Sequence, residues 1–512
     1  MKENVLNKKY FDNLAGGVNN FLGSRQIKDS ESPDSINCDF AGKQGIGNRQ
    51  GYTEIGAVAD SRTKIYGMSQ VHTSTVDQIM KFCSDGTDVK MYYSTGAAWT
   101  AVADTFTDAK DTDSCQAGDK VYTGNGTDAM YEWNGAAWGA TTDGTKGYYP
   151  VYYEKRLWVR DDTSRDTLNF SGQWASSSSL LGKFTDASAG TVVMKPGAGA
   201  AVVGMIKFQT YLYIFLEDSI YRLSPASAAN TFTVELVTNS VGCVSHRSIC
   251  QVGEDIFFAA DDGVYSLGEV ANYSAVRTTN KSARVQTTYD AITGANKKKF
   301  VGKYFKFKYH LFYSLFGTNN DSCLVYDVRY SAWQDWRTMG ANDAVVYKDA
   351  NGGTHFYFGE PTTGEINEMY SGSTDDGASI ATSWKSKSFD FGIEDVIKLF
   401  MDTTFFVETL TGSMTFQIIF EDSITAVTKT LSQNRPQGGL GRDALGIKVL
   451  GGGTNAVTTT IKAQNPFRIR AKGQKFAIQY KVTSSGKWQL SGVSQTFIPF
   501  SHYKFKSNLK LN

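Results

Sequence analysis

Side chains that bind metals or move protons are few in this chain, and they are scattered. The five histidines, His72, His246, His310, His355 and His502, stand at no metal-ligand spacing from one another. The nearest thing to a metal motif is Cys243-x-x-His246-x-x-x-Cys250, in a stretch that reads as a strand. It lacks the fourth ligand that a closed tetrahedral site needs, so Cys243 and Cys250 read as small buried hydrophobes. Acidic turns at Asp85-Gly86-Thr87-Asp88 and Asp261-Asp262-Gly263 offer oxygens for calcium, but Asp and Gly are also what a tight turn needs for its backbone, and no calcium-loop pattern surrounds them. Asp390-Phe391-Gly392 spells a kinase tripeptide without the lysine, catalytic-loop and glycine-loop partners that give it meaning. Gly45–Gly51, GIGNRQG, is glycine-rich like a phosphate loop, yet no helix pattern follows it.

Positive charge is the one feature that clusters. Lys297-Lys298-Lys299 is extended by Lys303, Lys306 and Lys308 with Tyr304, Phe305, Phe307 and Tyr309 interleaved, and the tail carries Lys504, Lys506 and Lys510. Two readings stand: a solvated strand face that guards an edge from aggregation, or phosphate contacts along a DNA path. No catalytic residue, metal ligand or cofactor site is expected. Lys297, Lys298 and Lys299 are the candidate DNA-channel contacts.

The elements that would position these residues are strands. Gln209–Leu223, QTYLYIFLEDSIYRL, and Gly253–Leu267, GEDIFFAADDGVYSL, align at an offset of 44 residues as one hairpin written twice. In the second copy Asp262-Gly263 is expected to supply the positive φ of a tight turn. A second echo, Met91–Trp99 against Met130–Trp138, is offset by 39. Further hairpins are expected at Ile79–Tyr93, Lys120–Trp133, Leu157–Phe170, Leu311–Tyr326 and His355–Tyr370. Hairpins recurring at a period in the forties indicate a β-propeller, whose four-stranded blades bury their faces only against neighbouring blades. Six or seven blades are expected over residues 61–373, with polar insertions at about 171–201 and 269–299.

Residues 1–60 read as an N-terminal arm and entry hairpin, with a helical turn over Ser32–Cys38 started by Ser32-Pro33. Ser371–Ser379 has linker composition. Residues 380–500 hold about eight alternating strands and a glycine-rich loop at Gln437–Gly453, a β-sandwich pattern. Residues 501–512 form a basic, extended tail. The chain is thus all-β, a propeller followed by a sandwich.

Composition agrees and narrows the function. Glycine stands at 50 of 512 residues and aromatics at 13%, which suits glycine turns and aromatic strands. With 52 basic and 51 acidic residues, the net charge of +1 gives no bulk attraction for nucleic acid or membrane, so DNA contact would need a local patch. Met1–Tyr10 has no apolar core of a secretory signal and no run approaches a membrane span. Synthesis and residence in a cytosol are expected, with the six cysteines reduced.

Three motifs carry a family resemblance. Gly16-Gly17-Val18-Asn19, Ser32–Asn37, Asp39-Phe40 and Gly45–Tyr52 follow the form GG-x-N, S-P-D-S-x-N-x-D-F, G-x-x-x-R-x-G-Y. Val241–Ile249 is followed by the DDGVYSL hairpin, and Lys385–Lys398 contains SFDFG before a long strand. These resemble the tail nozzle, or packaged-DNA stabilisation, proteins of short-tailed bacteriophages, the tail tubular protein B class. The resemblance implies a structural virion protein and not an enzyme. It implies a hexameric ring of identical chains below the portal adaptor, contact with tail fibre, spike or needle components, and passage of double-stranded DNA. The alternatives are a tail hub, adaptor or host-adhesion docking protein, a glycan-binding or glycan-hydrolysing propeller, and a cytosolic scaffold.

Overall fold

The computed structural model describes residues 6–42, 44–56, 62, 64–73, 76–95, 98–175, 178–194, 199–225, 231–270, 275–393, 396–420, 426–432, 467–475 and 477–499. The loop expected at Gln437–Gly453, one of the strands expected within residues 380–500 (457–461), and the basic tail at 501–512 lie outside the described residues. The chain divides into two compact units. The first comprises Met1–Gln50, Ala332–Asp335 and Ser373–Asn512, and the second Gly51–Ser331 and Trp336–Gly372.

The second unit is a succession of antiparallel sheets, each built from consecutive strands. Four-stranded sheets run Lys64–His72, Asp77–Ser84, Asp88–Ser94, Thr100–Thr107 (blade one); Asp113–Ala117, Lys120–Gly124, Tyr131–Trp133, Trp138–Ala140 (blade two); Tyr148–Tyr153, Arg156–Arg160, Thr167–Phe170, Gly190–Val193 (blade three). They continue with Val202–Phe208, Tyr211–Leu216, Ile220–Leu223, Val234–Thr238 (blade four) and Cys250–Val252, Asp255–Ala259, Val264–Val270, Ala275–Asn280 (blade five). Blade six contributes Val301–Phe305, Lys308–Tyr313 and Ser322–Asp327 to this unit.

Blade seven has Asp343–Lys348, Thr354–Gly359 and Ile366–Met369, and its outer strand is Tyr52–Glu54 from the start of the unit. That pairing staples the two ends of the unit's chain together. The innermost strands close a ring, because Lys64–His72 packs against both Asp113–Ala117 and Asp343–Lys348. The unit is a β-propeller, and every hairpin expected within residues 61–373 forms the middle two strands of a blade. Its core lies between blades: Tyr213, Phe215 and Ile220 of blade four pack with Ile256, Phe258 and Leu267 of blade five. Alternate residues of a blade face opposite neighbours, so the apolar positions of one strand serve two interfaces.

Three sequence expectations are corrected in detail. Gly263 does not take a positive φ; a Cβ there would lie 2.6 Å from Ser282 Oγ and 3.0 Å from Asn280 Nδ2, so close approach demands the glycine. Residues 269–299 contain the outer strand Ala275–Asn280 and the short helices Gln286–Asp290 and Gly294–Lys297, and residues 171–201 contain the outer strand Gly190–Val193. An outer strand has little apolar surface to bury, which is why its pattern is weak. Lys306 and Phe307, expected on a strand, both take positive φ, at 48° and 65°. They form the two-residue turn between Val301–Phe305 and Lys308–Tyr313.

In the first unit, one sheet has the order Cys38–Ala41, Gly45–Asn48, Trp488–Pro499, Lys398–Leu410, Phe467–Lys475, with Asn7–Phe11 also on Trp488–Pro499. Another set runs Asp34–Ile36, Thr382–Lys385, Ile478–Ser484, Ser413–Phe420, Ala426–Ser432. Phe405, Leu490 and Val493 from the first set and Phe416, Tyr480 and Val482 from the second share one core.

The helical turn expected over Ser32–Cys38 is strand instead. Ser32 Oγ donates to the carbonyl of Lys385 at 2.7 Å, and Asp34–Ile36 pairs with Thr382–Lys385. The cap residue is thereby committed to a sheet contact. The linker-like stretch holds a hairpin, Thr374–Asp375 with Ala378–Ser379, turning through Gly377 at φ 83°. The glycines of GIGNRQG hold strands together, since a Cβ on Gly47 would lie 2.5 Å from the Trp488 carbonyl oxygen.

Candidate functional site

The ring of inner strands encloses a cavity of about 740 Å³ in the second unit. Every blade supplies it with residues from the segment that enters its innermost strand: Tyr66, Asp113, Tyr149, Val202, Arg247, Phe300 and Asn342 are one from each. Turns between the second and third strands add Asn125, Arg165, Glu217 and Asn319. All of these segments lie at one end of the inner strands, so the topology gathers their side chains at one mouth of the axis.

Arg247 organises that mouth. It sits on a short 3-10 turn, His246–Ser248, which enters blade five. Its Nε donates to Asp113 Oδ1 at 3.1 Å, and Nη1 donates to the Asn342 carbonyl at 2.9 Å with Asp111 Oδ1 at 3.5 Å. Its Nη2 donates to the carbonyls of Tyr66 and Thr112. Burial alone would ease the proton off Arg247, but Asp111, Asp343 and Asp113 outweigh it and hold the guanidinium charged. Burial would raise the Asp113 carboxyl, yet Arg247 overrides it and keeps that carboxyl below its ordinary range. One side chain thus joins segments entering blades one, two, five and seven.

His246 lies beside it, its ring tilted at 31° against Tyr149 with 4.4 Å between centroids. Its buried Nδ1 has no hydrogen-bond partner, and a Cβ on Gly204 would come within 2.5 Å of it. Burial lowers the His246 pKa, and Asp113 opposes that only in part. The imidazole is therefore neutral near pH 7. Arg160 lies over the rings of Tyr148 at 4.0 Å and Tyr149 at 5.4 Å, and its buried Nε is also unpartnered.

The lysine triplet splits two ways. Lys297 Nζ donates to the Asp261 carbonyl at 2.5 Å and lies 5.1 Å from the centre of the Tyr289 ring, so it clasps the blade-five turn and is buried. Lys298 and Lys299 line the axial cavity, where Lys299 Nζ donates to the Thr318 carbonyl at 2.6 Å. Helix Gly294–Lys297 causes the division: one turn of helix points successive side chains about 100° apart. Lys308, also in the lysine series, is buried with its Nζ 5.3 Å from the Trp336 ring centre.

The cysteine–histidine stretch gathers no metal set. Cys243 is buried with its Sγ near the Ser245 carbonyl, and among the described residues no group of three His, Cys, Asp or Glu side chains could hold an ion. None of the six cysteines forms a disulfide. Sequence reasoning missed Arg247, Asp113, Arg160 and Tyr149. Arg247 does fall inside the Val241–Ile249 motif, but no local pattern announces that five of its neighbours come from distant blades.

No family model matches the chain, and no curated protein matches it. Among solved structures it overlaps YCF48 bound to D1 peptide at 7% identity and TM-score 0.38, over 63% of this chain and 95% of that one. It overlaps the Neurospora crassa Pan2 WD40 domain at 8% identity and TM-score 0.38, over 63% and 96%. For the N-terminal domain of Nup159 the identity is 11% and the TM-score 0.35, over 62% and 98%. At these scores the propeller rests on the chain's own closed ring of strands. Among the described residues no helix is long and apolar enough to cross a membrane.

Proposed function

We propose that this chain is a structural protein of a short-tailed bacteriophage virion, a tail nozzle subunit that retains packaged DNA and conducts it during ejection. In this reading the first unit is a β-sandwich completed by the N-terminal arm. Identical chains assemble into a hexameric ring through head-to-tail contacts, below a portal adaptor and above fibre, spike or needle components. The protein is made in the host cytoplasm and resides in the virion tail. It is not an enzyme.

The observation that carries the proposal is what the resemblance residues do. Ser32 and Asn37 hydrogen-bond to the carbonyls of Lys385 and Ala381, and Arg49 forms a two-pronged pair with Asp375. Gly17 turns at φ 75° where a Cβ would meet the Trp333 carbonyl oxygen at 2.6 Å. The N-terminal motif thus consists of joints between segments remote in sequence, an architectural role. A neutral chain also suits a conduit, because each neutralised phosphate would hold the genome back.

The test is to locate the chain in virions. Gold-labelled antibody against the purified protein should mark the tail below the neck, and particles lacking the protein should lose their DNA. Labelling of fibre tips, or full particles that retain DNA without the protein, would overturn the proposal.

A further inference from the structure

We infer that the axial cavity of the propeller is a binding site for a small organic oxyanion, a molecule of sugar-phosphate size carrying phosphate or carboxylate groups. The inference is independent of the tail proposal and rests on the balance of charge inside the cavity. Seven basic side chains line it against three carboxylates. Each carboxylate is already occupied: Asp113 and Asp111 by Arg247, and Glu217 by Arg165 at 3.1 Å. Arg247 is likewise saturated, with its donors spent on Asp113, Asp111 and three carbonyls.

What remains is an excess of cations over carboxylates. Among the described residues Lys110 and Lys298, both exposed to the cavity, make no ion pair, while Lys64 lies over the Tyr66 ring at 4.8 Å and acts electrostatically on Asp111. Arg160 has one long contact, 3.5 Å to the Val202 carbonyl, and a buried Nε with no acceptor. A guanidinium held over two tyrosine rings is restricted in orientation and keeps N–H groups for an oxyanion. On a chain of net charge +1 this concentration is local to the axis. A concave, low-dielectric wall focuses such a field.

The size of the cavity selects the ligand. About 740 Å³ is the scale of a small-molecule site, which typically pairs apolar walls with a few placed polar groups. Tyr66, Tyr148, Tyr149 and Phe300 supply those walls. A double helix does not enter a space of this size; its backbone could only cross the mouth. The site is therefore assigned to a free small anion and not to nucleic acid.

The experiment is titration calorimetry of the full-length protein with glucose 6-phosphate, with inorganic pyrophosphate and with uncharged glucose. Binding of at least one of the two anions is expected at one per chain, weakening as salt rises, with no measurable binding of glucose. Lys110→Ser/Lys298→Ser should weaken it by about tenfold or more, because charge-assisted contacts are lost, and Arg160→Gln should do the same. Lys348→Ser, on an exposed lysine outside the cavity, should change nothing. The double lysine variant alters only exposed side chains, so it keeps the test decisive if Arg160→Gln fails to fold. Any of three results overturns the inference: no heat with either anion at millimolar concentration, glucose binding as tightly as its phosphate, or affinity unchanged in the double variant. Duplex DNA that binds through Lys110 and Lys298 while the small anions do not would also overturn it.

Discussion

Two arginines show how differently the two units use buried charge. Arg49 in the first unit is fully buried, and both its terminal nitrogens meet Asp375, at 2.8 and 2.5 Å, while Nε donates to Asn37 Oδ1 at 3.1 Å. Charge meets charge, and water is excluded. Arg247 in the second unit is half-buried at the wall of a cavity, and three of its acceptors are backbone carbonyls. Asp113 and Asp111 balance its charge, while the carbonyls fix its orientation. The first arrangement is a closed joint between segments 326 residues apart. The second is a hub that gathers blade entries and leaves the neighbouring cations open to a ligand.

The comparison breaks most visibly at the closed joint. Arg49→Met alone strands the Asp375 carboxylate in the interior and should cost about 3–5 kcal/mol, read as a drop in urea midpoint at unchanged slope. Arg49→Met/Asp375→Leu removes both charges and should recover most of that loss. If the double variant is no better than the single one, the pair is not what holds the joint.

At the hub the expected loss is smaller because the substitution leaves a positive charge beside Asp113 and Asp111. Arg247→Lys keeps the charge but not the planar fork, and should cost about 1–3 kcal/mol through carbonyls left without donors. A larger loss than that of Arg49→Met would reverse the ranking of the two sites.

Titration sharpens the contrast within the second unit. His310 is buried, bonded to the Tyr370 hydroxyl at 2.6 Å, and burial, with Lys308 adding to it, lowers its pKa to about 3. Its folded pKa lies below its unfolded one, so its contribution is complete above about pH 6.5 and is lost as pH falls toward 3, at up to ~1.4 kcal/mol per pH unit. His310→Gln should flatten the acid limb of a stability–pH curve. His355 has the opposite sign: hydrogen bonds to Glu368 and Asp349 raise its pKa, so its contribution is complete below pH 6.5 and lost as pH rises through the raised value. Its half-exposed position makes that effect small, and His355→Gln should remove a slight alkaline slope.

The smallest effect concerns the open cations. Lys110→Ser and Lys298→Ser should each shift stability by less than about 0.5 kcal/mol, since neither side chain is buried or paired. A greater loss in thermal or urea unfolding would make them structural, as Lys297 is.

The parts of this molecule that were legible before folding are those whose signal is local. Tyr211–Leu216 with Ile220–Leu223, and Asp255–Ala259 with Val264–Val270, announce their hairpins by alternation and by repetition. Tyr52–Glu54 announced nothing as the closing strand of blade seven, because three residues carry no period and their partner is Ile366–Met369. Asp375 read as linker, and only the fold shows that it answers Arg49. The axial site was half legible: Lys298 and Lys299 were singled out by charge, but Lys297 beside them is turned into the blade-five turn. Arg160 and Arg247 were invisible, since each is defined by neighbours from other blades.

The most direct measurement for the proposed role is native mass spectrometry with electron microscopy of the full-length protein, alone and mixed with tail components from the same source. The account predicts a closed hexameric ring with an axial channel that seats below the neck. A chain that stays monomeric and joins no tail component under those conditions would contradict it.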